Sequence, residues 1–158
     1  MPNHIINILR FKNLDKENIE TLISGLTTVT NGERLFDFNK IIKTPNYIYQ
    51  GNLGEKEREK YGKNNWYDWN REHWGTKWNA YDQRIIKGKS YVEFIFSTAW
   101  TMPYLIYEKL RDLGLDFEVK YADEDLGHHC GTFKYINGET IEEDKEGNYY
   151  WARNLWNK

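Results

Sequence analysis

Residues 91–121 run Tyr-Val-Glu-Phe-Ile-Phe-Ser-Thr-Ala-Trp-Thr-Met-Pro-Tyr-Leu-Ile-Tyr-Glu-Lys-Leu-Arg-Asp-Leu-Gly-Leu-Asp-Phe-Glu-Val-Lys-Tyr and contain a whole strand–helix–strand unit. In the first strand Val92, Phe94 and Phe96 point one way and Tyr91, Glu93 and Ile95 the other, because side chains alternate along an extended chain. Pro103 suits the first helical position, where its missing N–H costs nothing. Leu105, Ile106, Leu110 and Leu113 are expected to line the inner face of that helix, and Gly114 supplies the stop. Phe117, Val119 and Tyr121 then alternate with Glu118 and Lys120, which reads as a strand buried on one side and wet on the other.

Working outward, Tyr81–Ile86 leads through Lys87-Gly88-Lys89 into the same strand, so a hairpin precedes the unit. Residues 4–11 are rich in Ile, Leu and Phe on both faces, as a central strand requires. A helix follows them. Asp15 is its N-cap, Leu14 and Ile19 occupy staple positions, and Ile19, Leu22, Ile23 and Leu26 form one apolar face. In order these are strand–helix–strand–strand–helix–strand, the ferredoxin-like split βαβ pattern.

Residues 31–78 fall between the first helix and the second strand and read as an insertion. Phe36, Phe38, Ile41, Ile42 and Ile48 can reach the core from it, while Glu55 to Lys60 alternates in charge and suits an exposed helical turn. Downstream, Asn137-Gly138 is a type I′ turn signal between Thr132–Ile136 and Glu139–Glu142. The tail holds Tyr149, Tyr150, Trp151, Leu155 and Trp156, so it is expected to fold back as a short helix. The expectation is an α+β chain: one ferredoxin-like βαββαβ domain over residues 1–158, with the insertion before its second strand and an extra C-terminal hairpin and tail over 128–158.

The composition, 39% hydrophobic and 29% charged, is that of a folded globular protein. The formal net charge of −2 provides no global basic field for nucleic acid and leaves only a local patch as a route to it. Cys130 is the one cysteine, which excludes an intramolecular disulfide and a four-cysteine zinc site. No signal peptide is read at the start and no apolar run reaches a membrane span, so a cytoplasmic protein is expected, in the host cytoplasm if phage-encoded.

Four of the seven tryptophans lie between Trp66 and Trp78. If residues 64–74 are helical, Trp66, Trp69 and His73 share a face, and Gly75-Thr76 turns the chain toward the next strand. The run Trp66-Tyr67-Asp68-Trp69-Asn70, followed by His73-Trp74-Gly75-Thr76-Lys77-Trp78-Asn79, resembles the signature of the YubB-type ferredoxin-like proteins of phages, plasmids and integrative elements. That signature commonly has Asn where His73 stands and often Asp where Asn79 stands. Tyr121-Ala122-Asp123-Glu124 with Gly127, Gly131 and Asn137-Gly138 is similar to a second stretch of the same family. The resemblance implies a ferredoxin-like domain and a mobile-element setting, and it brings no established activity.

Three readings of the tryptophan run compete. As packing, it staples the insertion to the sheet, each buried indole bringing one N–H in need of an acceptor. As a recognition surface, Trp66, Trp69, Asn70, Arg71, His73, Trp74, Lys77 and Trp78 are the candidate binding residues, toward a host or mobile-element protein or, alternatively, RNA or DNA. A third reading places a small metal- or His/Cys-dependent enzyme at His128-His129-Cys130, preceded by Asp123, Glu124 and Asp125. Neighbouring histidines in a strand face opposite ways, which counts against one shared ion. Walker A, Gly-x-Gly-x-x-Gly, Gly-x-Ser-x-Gly and His-Glu-x-x-His patterns are absent. The expectation is therefore a non-enzymatic binding protein with no cofactor, no metal and no assigned catalytic residue, interfering with a host defence system by protein contact.

Overall fold

A computed structural model describes residues 3–125, 129–143 and 149–156. In chain order the elements are β1 (His4–Phe11), α1 (Lys16–Leu26), β2 (Thr27–Thr30), β3 (Glu33–Phe36), a 3-10 turn at Phe38–Lys40, α2 (Glu55–Tyr61) and α3 (Trp66–His73). Then follow β4 (Tyr81–Lys87), β5 (Val92–Ala99), α4 (Tyr104–Asp112), β6 (Phe117–Asp123), β7 (Cys130–Ile136), β8 (Glu139–Glu143) and α5 (Tyr149–Trp156). Six strands pair antiparallel in the order β4-β5-β1-β6-β7-β8. The first four are the ferredoxin-like sheet, with β1 and β5 central and α1 and α4 as the crossovers. The hairpin β7–β8 extends it at the β6 edge, and Asn137 (φ 54°) and Gly138 (φ 79°) make the turn the sequence asks for.

Local signals set the first helix. The Asp15 side chain accepts from the Asn18 amide at 2.8 Å, satisfying one of the orphan donors of the first turn. Ile19, Ile23 and Leu26 are buried against the sheet with Leu14 packed beside them. Val92, Phe94 and Phe96 of β5, Leu9 and Phe11 of β1, and Val119 and Phe117 of β6 meet α1 and α4 in one core. Each such side chain contributes about 1.5–3 kcal/mol on leaving water.

Helix α4 departs from the expected boundaries. Pro103 is its cap, not its first residue, and the helix ends at Asp112. Leu113 therefore stands outside the helix and is 58% exposed, while Leu105 is only half-buried. Tyr107 takes the inner place instead, fully buried with Ile106 and Leu110. Its hydroxyl donates to Asn7 Oδ1 at 2.8 Å. Asn7 Nδ2 in turn donates to Thr98 Oγ1 (3.0 Å) and Ile5 O (3.2 Å), and Thr98 Oγ1 to Thr101 O (2.7 Å). Burial, then the neighbouring Tyr135, pushes the Tyr107 hydroxyl well above its ordinary pKa, so it serves as a neutral donor.

Between α1 and β4 the chain is more regular than its composition suggests. Asn31 (φ 53°) and Gly32 (φ 79°) close the hairpin β2–β3, which forms its own two-stranded sheet. Its Phe36 stacks on Phe96 at 4.9 Å. Gln83 of β4 ties it to the main sheet, accepting from Phe36 N (2.6 Å) and donating to Phe36 O (3.0 Å). Phe38 and Ile48 are buried, Ile41 and Ile42 pack against the core, and α2 carries no buried residue.

The second face of the sheet is more polar. Glu118 bridges Lys12 (3.2 Å) and Lys134 (3.7 Å), and Arg10 pairs with Glu93 (3.4 Å). Helix α5 returns onto this sheet, with Ala152 buried and Trp156 Nε1 donating to Ala122 O at 3.1 Å. Burial raises the Glu118 pKa. The Lys12 hydrogen bond and the charges of Lys12, Lys134 and Lys120 outweigh it, so the carboxyl titrates below its usual range. A depressed folded-state pKa stabilises the fold at higher pH, and that share is lost as pH falls through it. Glu118→Gln should therefore flatten the acid limb of a melting-temperature-against-pH curve below about pH 4. An unchanged acid limb in the variant would count against this role.

Candidate functional site

Helix α3 is built from its cap upward. Asn65 is fully buried; its Oδ1 accepts from Asp68 N at 2.9 Å, and its Nδ2 donates to Gly62 O (2.8 Å) and Asp68 Oδ2 (2.7 Å). A bridge between Tyr49 and Asn65 fixes where the helix enters. At the other end the Asn70 carbonyl accepts from both Trp74 N (2.7 Å) and Gly75 N (3.1 Å). Gly75 takes φ +82°, and a Cβ there would sit 2.6 Å from the Tyr104 ring, so both conformation and space demand glycine. Thr76 Oγ1 donates to Ala99 O (2.7 Å) and Thr101 Oγ1 to Gly75 O (2.6 Å), sewing this turn to the end of β5.

The candidate residues separate into three groups. Trp69 and Trp74 are core residues, 6% and 3% exposed, in edge contact at 5.5 Å. Trp74 also meets Phe38 at 5.4 Å and donates its indole N–H to Ile42 O at 2.9 Å. His73 lies outside, stacked on Trp69 at 4.4 Å. The shared face expected for Trp66, Trp69 and His73 is thus divided. Trp66 sits one helical turn from Asn70, at i and i+4, and both turn toward a different space.

That space is an open cavity of about 440 Å³ lined by Trp66, Asn70, Trp74, Trp78, Asn39, Thr44, Gln50 and Asn79. None of the eight is charged. Four of them, Asn39, Thr44, Gln50 and Asn79, are not among the candidate binding residues read from the sequence; the first three lie outside the tryptophan run, and Asn79 figured only as a position of the family signature. Their common signal was a neutral amide or hydroxyl, which any surface loop also shows.

The third group forms a shelf with both aromatic and cationic members. Tyr67 and Trp100 meet edge-on at 6.1 Å. Arg58 (5.8 Å) and Arg71 (5.1 Å) lie over the Tyr67 ring. The Lys77 ammonium sits 4.5 Å from Trp78 and 4.6 Å from Trp100. Trp100 is 40% exposed, and Tyr104, at the start of α4, 44%. Trp100 also takes φ +71°, a region that bulky side chains rarely adopt, at a cost of about 1–3 kcal/mol. Hydrogen bonds from Trp100 N to Asn3 O (2.8 Å) and Thr101 N to Ala99 O (2.9 Å) hold it there. Trp100 is not among the residues singled out from the sequence.

Near Trp78, Tyr81 contacts the indole at 6.0 Å and hydrogen-bonds His4 Nδ1. Burial, then Asp82 and Glu124, pushes the Tyr81 hydroxyl up to about 12, so it stays protonated. Of the His128-His129-Cys130 stretch, His128 and the neighbouring Gly127 lie outside the described residues. His129 precedes β7 at φ +43° and rests its ring on Tyr121 at 5.4 Å, and Cys130 is half-buried at the start of β7. Among the described residues no helix is long and apolar enough to cross a membrane.

Sheet order, crossovers and core define an α+β protein of ferredoxin-like fold. Residues 73–154, more than half of the chain, match the family described as the ferredoxin-like domain in Api92-like protein. The chain belongs to that family. No match was found among curated proteins or among solved structures.

Proposed function

We propose that this is a binding protein that acts without catalysis, and that the shelf of Tyr67, Lys77, Arg71, Trp100 and Tyr104 is where a protein partner docks. The observation that carries the reading is Trp100. A large aromatic residue is held part-exposed in an unfavourable backbone conformation, against the Lys77 ammonium and edge-on to Tyr67, over which Arg58 and Arg71 lie. Trp, Tyr and Arg are the residues that dominate protein interfaces, because they bury much area with few rotors lost. The cations select a partner surface that carries carboxylates. The likeness of the tryptophan motif to YubB-type proteins supports a mobile-element setting, a host or element protein as partner and interference with a host defence system as the purpose.

The test is a pull-down from host lysate with the wild type and with Trp100→Ala/Arg71→Ala, both shown by circular dichroism to be folded. One protein retained by the wild type should be lost by the double variant. Removing one buried interface aromatic costs about 2 kcal/mol or more, roughly a thirtyfold loss of affinity. Equal recovery by both forms would rule the shelf out.

A further inference from the structure

The cavity is a site apart from the shelf, and its polar atoms can be accounted for in turn. Trp66 and Trp74 commit their indole N–H groups to the carbonyls of Gly51 and Ile42, so they offer the cavity only their rings. Asn79 is largely committed: its Oδ1 accepts from Phe38 N and Ala80 N, and its Nδ2 donates one bond to Asp37. Asn70 is not. It is 6% exposed, and its Nδ2 donates to Lys77 O, yet its Oδ1 has no hydrogen-bond partner among the described residues. Asn39 uses its Oδ1 to accept from Thr44 N and leaves its Nδ2 open. The Gln50 carboxamide and the Trp78 indole N–H likewise have no partner among the described residues. The Asn70 oxygen is open to the cavity, where a ligand donor can reach it.

We propose that this cavity binds the base of a nucleotide. Three observations converge on that ligand class. Its volume falls within the roughly 300–1,000 Å³ of small-molecule sites, and its walls are indole rings, on which a flat base stacks. Its open polar groups are an acceptor on Asn70, a donor on Asn39, the Trp78 N–H and the whole Gln50 carboxamide, a mixture of donors and acceptors such as the paired edge of a base calls for. Finally, no charged side chain lines the interior, while the Lys77 ammonium lies against Trp78, one of the lining rings. A neutral ring therefore belongs inside and a phosphate at the mouth. Indole rings and carboxamides suit a sugar as well, and the Lys77 ammonium at the mouth, which answers a phosphate, is what favours the nucleotide. This site shares Lys77 with the docking shelf, but Asn70, Gln50 and Asn39 are not part of it, so Gln50→Ala/Asn39→Ala tests the cavity without touching the shelf.

The test is to titrate the full chain with adenosine, guanosine, cytidine and uridine monophosphates, their nucleosides, a short single-stranded oligonucleotide and a neutral disaccharide. Tryptophan fluorescence and calorimetry are the readouts. At least one monophosphate should bind with a Kd below about 1 mM and quench the fluorescence. Trp78→Ala should weaken it at least about tenfold, as loss of one stacking ring does. Lys77→Ala should weaken the monophosphate and leave its nucleoside unchanged. Gln50 lies at the surface, so Gln50→Ala/Asn39→Ala carries the test should Trp78→Ala fail to fold, and it too should weaken binding. A tighter oligonucleotide identifies the source as an unpaired base in a strand; an equal or weaker one identifies the free nucleotide. The proposal is overturned if no monophosphate binds in that range, if only the disaccharide binds, or if the surface double variant binds as the wild type does.

Discussion

Trp74→Ala should lower the melting temperature by about 10 °C. Truncating a fully packed tryptophan costs about 3–5 kcal/mol, and each kcal/mol moves the midpoint of a domain this size by about 2–4 °C. Trp74 is suited to the upper part of that range. It is 3% exposed, it packs on both Phe38 and Trp69, and its loss strands the Ile42 carbonyl that now accepts its N–H. The segment before β4 touches the sheet through Phe36, Phe38 and this ring, so the cavity left behind lies at the seam and cannot close without moving α3. Thermal unfolding followed by circular dichroism measures it. A shift below about 2 °C would mean that the ring is not part of the core.

The second large effect lies under the sheet, where Asn7 is buried and completely committed. Tyr107→Phe should cost about 1–3 kcal/mol, because it leaves Asn7 Oδ1 without its donor in a dry site. Asn7→Leu should cost a similar amount by orphaning the Tyr107 hydroxyl. The double variant should cost less than the two added together, by about 1–2 kcal/mol, since neither partner is then left alone. Urea unfolding of the four proteins gives the cycle directly. Strict additivity would mean that the hydrogen bond adds nothing beyond the packing of the two side chains.

Those two sites also show where sequence reading succeeds and where it stops. The βαββαβ order was legible because each element carries a local signal: Asp15 caps, Gly114 ends, Asn137-Gly138 turns, and Phe117 and Val119 alternate with Glu118 and Lys120. The β2–β3 hairpin was legible too. Asn31-Gly32 is the same turn signal as Asn137-Gly138, but only an irregular insertion is expected there from the sequence, since the flanking Thr-Thr-Val-Thr and Glu-Arg-Leu-Phe lack strict alternation. Tyr107 was misassigned in favour of Leu113 because apolar spacing favours leucine over a tyrosine whose hydroxyl needs a partner. That partner, Asn7, lies 100 residues away in the chain. The tryptophan run was legible as a cluster but not as a geometry. One helical residue of offset decides whether a ring faces the core like Trp69, a cavity like Trp66, or the shelf like Tyr67. The cavity's far wall joins Asn39, from the 3-10 turn, to the loop residues Thr44 and Gln50, a meeting that tertiary packing sets.

Gln83 has one more effect. Its carboxamide holds both the N–H and the C=O of Phe36, as a neighbouring strand would, on a β4 whose pairing is already shifted between Tyr81 and Arg84. An outer strand with a free ladder is a template on which other chains polymerise. Here Gln83 draws the short β2–β3 hairpin against that border without using the ladder of β4 itself, so the segment that also builds the cavity stands in the way of another chain at this edge.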